Sequence, residues 1–212
     1  MKTRIFNLVI IDESGSMHCI EKEAIDNVNE TIQTIRKAQQ MHPDQEHYVS
    51  VVTFNDDFKT VYDCMEADKV KEFGPDNYHP NCSTALYDAM GFSLTALRRK
   101  VAPDDKVLVT VVTDGYENSS REYNGSAIKS LVDELKGKGW VFAYIGANHD
   151  VTAVASTISI TNVMSFASSG YGTQIMTDKV NRSRERLYSK IALQDFDAQE
   201  ANSSFFDEND GK

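Results

Sequence analysis

The sequence predicts an α/β fold, a doubly wound and mostly parallel six-stranded sheet with helices on both faces. Two apolar runs, 8–11 and 106–113, are continuous rather than alternating, as in strands covered on both sides. Each run stops abruptly at a carboxylate, Asp12 and Asp114. Between and after them lie segments whose apolar residues recur every three or four positions, so strands alternate with amphipathic helices.

In chain order, residues 4–11 form the first strand. A helix follows over 21–41, with Ile25, Val28, Ile32 and Ile35 as its apolar stripe. His42-Pro43 ends it, because the residue before proline resists helical geometry. Residues 48–54 are rich in β-branched side chains and make strand two. Asn55-Asp56-Asp57 is a tight turn, and 58–62 returns as an antiparallel strand. Residues 68–73 read as a short helix or turn. A turn-rich loop, 74–82, leads into a helix that starts at Ser83 and reaches about residue 100. Its stripe is Leu86, Met90, Leu94, Leu97 and Val101. After strand 106–113, Ser126 is expected to cap a helix with Ile128, Leu131, Val132 and Leu135 inward. Gly137 and Gly139 end that helix. Strand 140–145, a short helix 150–158, strand 163–166 and a final helix 173–191 complete the domain, 1–191. Ser169-Gly-Tyr-Gly172 lacks dinucleotide-binding spacing and reads as a loop.

Length and charge narrow the function. A chain of 212 residues fits one domain. Folding buries roughly 70% of such a chain's unfolded surface, so no disulfide is required. A formal charge of −10 argues against a nucleic-acid or anionic-membrane partner. Cys19, Cys64 and Cys82 show no Cys-x-x-Cys spacing and read as reduced thiols. The first strand starts too early to leave room for a signal peptide, and no apolar run reaches the length of a membrane span. A cytoplasmic protein is expected.

The candidate site follows from the strand ends. Asp12, Ser14 and Ser16 place oxygens at alternate positions, and Gly15 lets the backbone bend between the serines. Ligands of open α/β sheets bind at the carboxyl ends of strands. The Asp12 loop, the Asp114 loop and the loop that opens the helix at Thr84 share that edge. Asp12, Ser14, Ser16, Thr84 and Asp114 are therefore expected to converge on a hard, oxygen-loving cation such as Mg²⁺ or Mn²⁺.

Asp12-x-Ser14-x-Ser16, then Ser83-Thr84-Ala-Leu-Tyr-Asp-Ala, then Val111-Val-Thr-Asp114-Gly resembles the von Willebrand factor A domain, also called the integrin I-domain fold. The five polar residues match that family's metal-ion-dependent adhesion site. The resemblance implies strand order 3-2-1-4-5-6 with strand three antiparallel. It implies that Ser14 and Ser16 coordinate the metal, that Asp12 and Asp114 accept hydrogen bonds from its waters and the serines, and that Thr84 coordinates directly in one state and through water in another. The metal then takes a Glu or Asp carboxylate of a partner protein, with a closed-to-open shift of the final helix. The chain looks most like bacterial stand-alone A domains, some associated with tellurite resistance. Their usual second element carries glycines before the threonine, whereas here Asn81-Cys82-Ser83 stands there.

Rival chemistries are weaker. A strand ending in Asp12 resembles haloacid-dehalogenase phosphotransferases, with Asp12 as nucleophile. Ser14 stands where they place an acid or Thr, and only Glu117 follows Asp114 closely. A serine hydrolase lacks Gly-x-Ser-x-Gly. His18, Cys19, His79, Cys82 and His149 match no zinc spacing. A purely structural A domain without a metal-dependent partner is the remaining alternative. Rim contacts to a partner are expected near His18, Tyr78, Tyr116, Asn118 and His149.

Residues 192–212 are expected to be a flexible acidic tail, with Asp195, Asp197, Glu200, Asp207, Glu208 and Asp210 against Lys212. Phe205-Phe206 beside Asp207-Glu208 suggests self-association. In that reading the exposed Phe pair docks at a metal edge, the molecule's own or a neighbour's, with Asp207 or Glu208 as the ligand; the alternative is a loose tail, or one packed by its Phe pair on the domain's flank.

Overall fold

Strand β1 (Thr3–Asp12) is the centre of the molecule, buried from Ile5 to its end. A computed structural model describes residues 2–147 and 150–207. β1 pairs in parallel with β2 (Gln45–Phe54) on one side and β4 (Lys106–Thr113) on the other. β5 (Val141–Gly146) and β6 (Asn162–Ser165) continue the parallel sheet beyond β4, and β3 (Phe58–Glu66) runs antiparallel to β2 at the far edge. The order is β3-β2-β1-β4-β5-β6, as the sequence led us to expect.

Consecutive residues of β1 feed opposite faces, which is why its apolar run is unbroken. Ile5, Val9 and Ile11 face α1 (Glu21–Met41) and α5 (Gly170–Ala192). Leu8 and Ile10 face α2 (Leu86–Arg98), α3 (Gly125–Lys136) and α4 (Val151–Thr157). The β1–β4 register sets Ile11 beside Val112, so Asp12 and Thr113 end their strands side by side.

Four expectations are corrected. β3 extends to Glu66 through a bulge where Cys64 takes φ 49° and its N–H donates to Ser50 Oγ at 2.9 Å. Asn124, not Ser126, caps α3, accepting from Ala127 N at 2.9 Å. Ser169-Gly-Tyr-Gly172 is not a loop but the first turn of α5. Ser169 Oγ accepts from Gly172 N at 3.2 Å, and Gly172 presses on Ala167 so closely that a side chain there would clash with the Ala167 carbonyl.

Finally, the tail expected to be flexible from residue 192 is folded as far as Asp207. A short helix, α6 (Ala198–Ser204), capped by Asp197, packs under β5 and β6. Asn202 donates to Trp140 O at 2.7 Å and accepts from Phe142 N at 3.0 Å, while Asn162 accepts from Phe205 N at 3.0 Å. Phe205 joins the core, so the Phe pair is not an exposed docking element. Glu208 and Asp210 lie outside the described residues, as does His149. Among the described residues no helix is long and apolar enough to cross a membrane.

Candidate metal centre

The three predicted loops meet at the carboxyl edge of the sheet. Asp12, at the end of β1, is fully buried. Its Oδ1 accepts the Ser14 N–H at 2.7 Å and its Oδ2 accepts the Thr113 hydroxyl at 2.5 Å. Ser14 Oγ lies 3.2 Å from Ser16 Oγ, and Ser16 Oγ donates to Asp114 Oδ1 at 2.5 Å. Ser14 and Asp114 are buried, and Ser16 is exposed. Thr84 sits just ahead of α2. A methyl built on Gly115 would lie 3.5 Å from Thr84 Oγ1 and 3.8 Å from Ser16 Oγ, so both hydroxyls face the same backbone. All five predicted residues thus come together.

The loops are tied to one another through main chain. Gly15 N donates to Cys82 O at 3.1 Å and Asn81 N to Glu13 O at 2.9 Å, which straps the Thr84 loop to the Asp12 loop. Cys82 adopts φ 60° to make that approach, a left-handed conformation that a glycine takes without penalty. Thr84 N donates to Asn118 Oδ1 at 2.9 Å, and Asn118 N returns a bond to Thr84 O at 3.0 Å. Glu117 accepts from Tyr87 N, Ser119 N and Ser120 N, which engages its carboxylate with the start of α2 and its own loop.

The electrostatics favour a cation. Burial pushes the Asp12 carboxyl up to about 6, and the charge of Asp114 adds to the rise; hydrogen bonds from Ser14 and Thr113 only partly offset it. Two carboxylates held together with hydroxyls are a hard-oxygen donor set of the kind Mg²⁺ and Mn²⁺ accept. Among the described residues no three His, Cys, Asp or Glu side chains gather to hold a metal, so hydroxyls and water would complete any coordination. The residues fit a hard divalent ion, with Ser14, Ser16 and Thr84 as neutral donors and Asp12 and Asp114 behind them.

Of the expected rim residues, His18, Tyr116 and Asn118 are exposed. Tyr78 is not a rim residue: it is fully buried, and its hydroxyl donates to Asp12 O at 2.5 Å from beneath the site. Asn118 holds Thr84 by its backbone. Sequence reasoning missed Thr113, Tyr78 and Asn118 as positioning residues. Only Thr113 carried a signal, as a polar residue closing an otherwise apolar strand beside Asp114.

The von Willebrand factor type A domain sequence model matches residues 8–179, and the chain belongs to that family. Among solved structures it is similar to a von Willebrand factor type A protein from Catenulispora acidiphila, at 17% identity and TM-score 0.60, over 84% of this chain and 42% of that one. It is similar to the PilB minor pilin of Streptococcus sanguinis at 13% identity and TM-score 0.62, over 88% and 62%. Proximal thread matrix protein 1 of the mussel byssus, solved with a zinc-occupied adhesion-site motif, aligns at 18% identity and TM-score 0.58, over 87% and 46%. The chain thus spans less than two thirds of each of these proteins. No curated protein matches it in sequence.

Proposed function

We propose that this chain is a metal-dependent protein-binding module rather than an enzyme, using Asp12, Ser14, Ser16, Thr84 and Asp114 to hold Mg²⁺ or Mn²⁺ and capture a partner's Glu or Asp carboxylate. The observation that carries the reading is the convergence of these five residues from three distant loops at one sheet edge. A bound divalent ion supplies an electrophilic site for an outside oxygen. The protein's part is to hold the donors still. Asp12 is locked by Ser14 N–H and Thr113, Thr84 by Asn118, and the two loops by the Gly15–Cys82 bond. His18, Tyr116 and Asn118 form the exposed rim that would select the partner. The phosphotransfer alternative loses support because Glu117, the acid that follows Asp114 closely, is engaged with Tyr87 N at the start of α2.

The module resembles bacterial stand-alone A domains, and residues 192–207 fold onto it rather than trailing from residue 191. Three free cysteines support a cytoplasmic setting. The test is capture from native cytosol on the immobilised protein in Mg²⁺, with EDTA elution, beside Asp12→Ala. A protein eluting from wild type alone supports the reading. An empty eluate, with metal still raising the melting temperature, would favour the structural A domain.

A further inference from the structure

The seam between α1 and α5 carries opposite charge at its two ends. Toward the helices' amino ends, Glu23, Asp26 and Glu30 line a groove of about 270 Å³ against Gly170 and Thr173, with no lysine or arginine in its wall. Asp178 lies just beyond. Partial burial raises the Glu30 carboxyl, and the charges of Asp178 and Asp26 raise it further, so these acids crowd one another.

Toward the carboxyl ends, a groove of about 530 Å³ is walled by Lys37, Arg182, Arg186 and Lys190 around Met41 and Leu193. Met41 is 64% exposed and Leu193 78%, unusual exposure for large apolar side chains in this fold. Lys37 pairs with Glu185 at 3.3 Å and Lys190 with Glu200 at 2.7 Å. Arg182 and Arg186 bond only neutral groups: Asp178 O, Ser183 Oγ and Phe205 O. Neither has an ion-pair partner among the described residues. At the middle of the seam Gln33, Thr34 and Asn181 are neutral, flanked by Glu30 and Asp178 on one side and by Arg182 and Glu185 on the other.

A basic, partly apolar groove on a chain of net charge −10 calls for an acidic occupant. The same seam presents one about four helical turns away, since Asp26 and Met41 are roughly 22 Å apart along α1. That separation exceeds the Debye length of about 8 Å at physiological salt, so the two ends act independently. We propose that the α1–α5 seam is a self-association surface. Two copies of this chain dock face to face about a two-fold axis near Gln33 and Asn181, the acidic end of each on the basic, apolar end of the other. A two-fold interface must be self-complementary, and only the antiparallel arrangement places unlike charges together at both ends. The surface uses none of the five candidate metal-site residues, so it goes beyond the proposed function and persists in EDTA.

Sedimentation equilibrium in EDTA tests it. At about 0.1 M salt the mass is expected to approach twice that of the monomer, and at about 1 M, where the Debye length shrinks to about 3 Å, to return to monomer. Among the side chains that line the seam, Asp26→Lys/Glu30→Lys takes the acidic end from −4 to 0 and Lys37→Glu/Arg182→Glu takes the basic end from +3 to −1, so only a mixed pair keeps an end where unlike charges meet. Each alone is expected to be monomeric, and an equimolar mixture to form a one-to-one pair. All four positions are at the surface, and melting temperatures near wild type check that the variants fold. If charge reversal lowers the melting temperature, the isosteric Asp26→Asn/Glu30→Gln gives the same reading, with about tenfold weaker association expected. A wild type that stays monomeric at low salt, a dimer indifferent to either reversal, or folded variants that fail to pair when mixed would overturn the proposal.

Discussion

Two buried polar clusters lie on the same central strands, and they are built in opposite ways. At the carboxyl edge, Asp12, Ser14, Ser16, Thr84 and Asp114 pool acceptors and hydroxyls, and their outermost member, Ser16, opens to solvent. In the other half of the sheet, under α5, the polar groups face one another. Tyr188 OH donates to Asn7 Oδ1 at 2.6 Å, Gln45 Nε2 to Tyr188 O at 2.8 Å, and Arg184 Nη2 to Thr110 Oγ1 at 2.6 Å. His47 lies edge-on to Tyr188 and 3.0 Å from Gln45 Oε1. The inner cluster fastens α5 to β1, β2 and β4 and is closed off from solvent, although Arg184 Nε and Nη1 and His47 Nδ1 have no hydrogen-bond partner among the described residues. Buried polarity alone therefore does not mark a site. What marks it is a donor set open to an outside atom.

Each half of that contrast can be broken separately. The largest effect is expected inside. Burial, with a smaller contribution from His42, lowers the His47 pKa to about 4 from an ordinary 6.5. The folded state therefore favours neutral His47, and its contribution to stability is complete above pH 6.5. It is lost as the unfolded chain takes up a proton below that. Between pH 6.5 and 4 the wild type should lose about 3 kcal/mol more than His47→Gln in urea unfolding, with metal affinity at neutral pH unchanged.

Next is the outer cluster. Asp12→Asn should weaken Mn²⁺ binding by roughly a hundredfold in calorimetry, as loss of a positioning carboxylate does. It should leave metal-free stability level or slightly higher, because a buried charge beside Asp114 is gone. A loss of less than threefold would place the metal elsewhere. Smallest is Tyr188→Phe, which should cost about 1–2 kcal/mol of stability and leave metal affinity untouched.

The two clusters also differed in how far the sequence revealed them. Asp12 and Asp114 interrupt apolar runs, and the sheet's geometry brings strand ends together, so the outer cluster followed from local pattern. Arg184 stands between Val180 and Leu187 in the apolar stripe of α5 and is almost wholly buried. Its helical phase placed it inside, but its partner Thr110 lies 74 residues away and no local pattern names it. Tyr78 misled for a similar reason. Set in a loop dense with turn residues it suggests a surface contact, and only its bond to Asp12, 66 residues away, turns it inward. α6 went unforeseen because its residues are polar and acidic; Asn162 and Asn202 organise it by bonding main chain across the β5–β6 edge.

That last feature has a mechanical side. Residues 198–205 are held at the amino ends of β5 and β6, while the candidate adhesion site opens at the carboxyl ends of β1 and β4. A partner gripping the site and a tether attached beyond Asp207 would pull along the strands. The parallel ladders would bear that tension in shear, all their hydrogen bonds together. α6 would feel it first, held by Phe205 and its apolar neighbours, the asparagine bonds, the Thr161 hydroxyl and the Lys190–Glu200 pair. It should peel away under modest force before the sheet yields, adding slack to the tether while the grip at the other end stays whole.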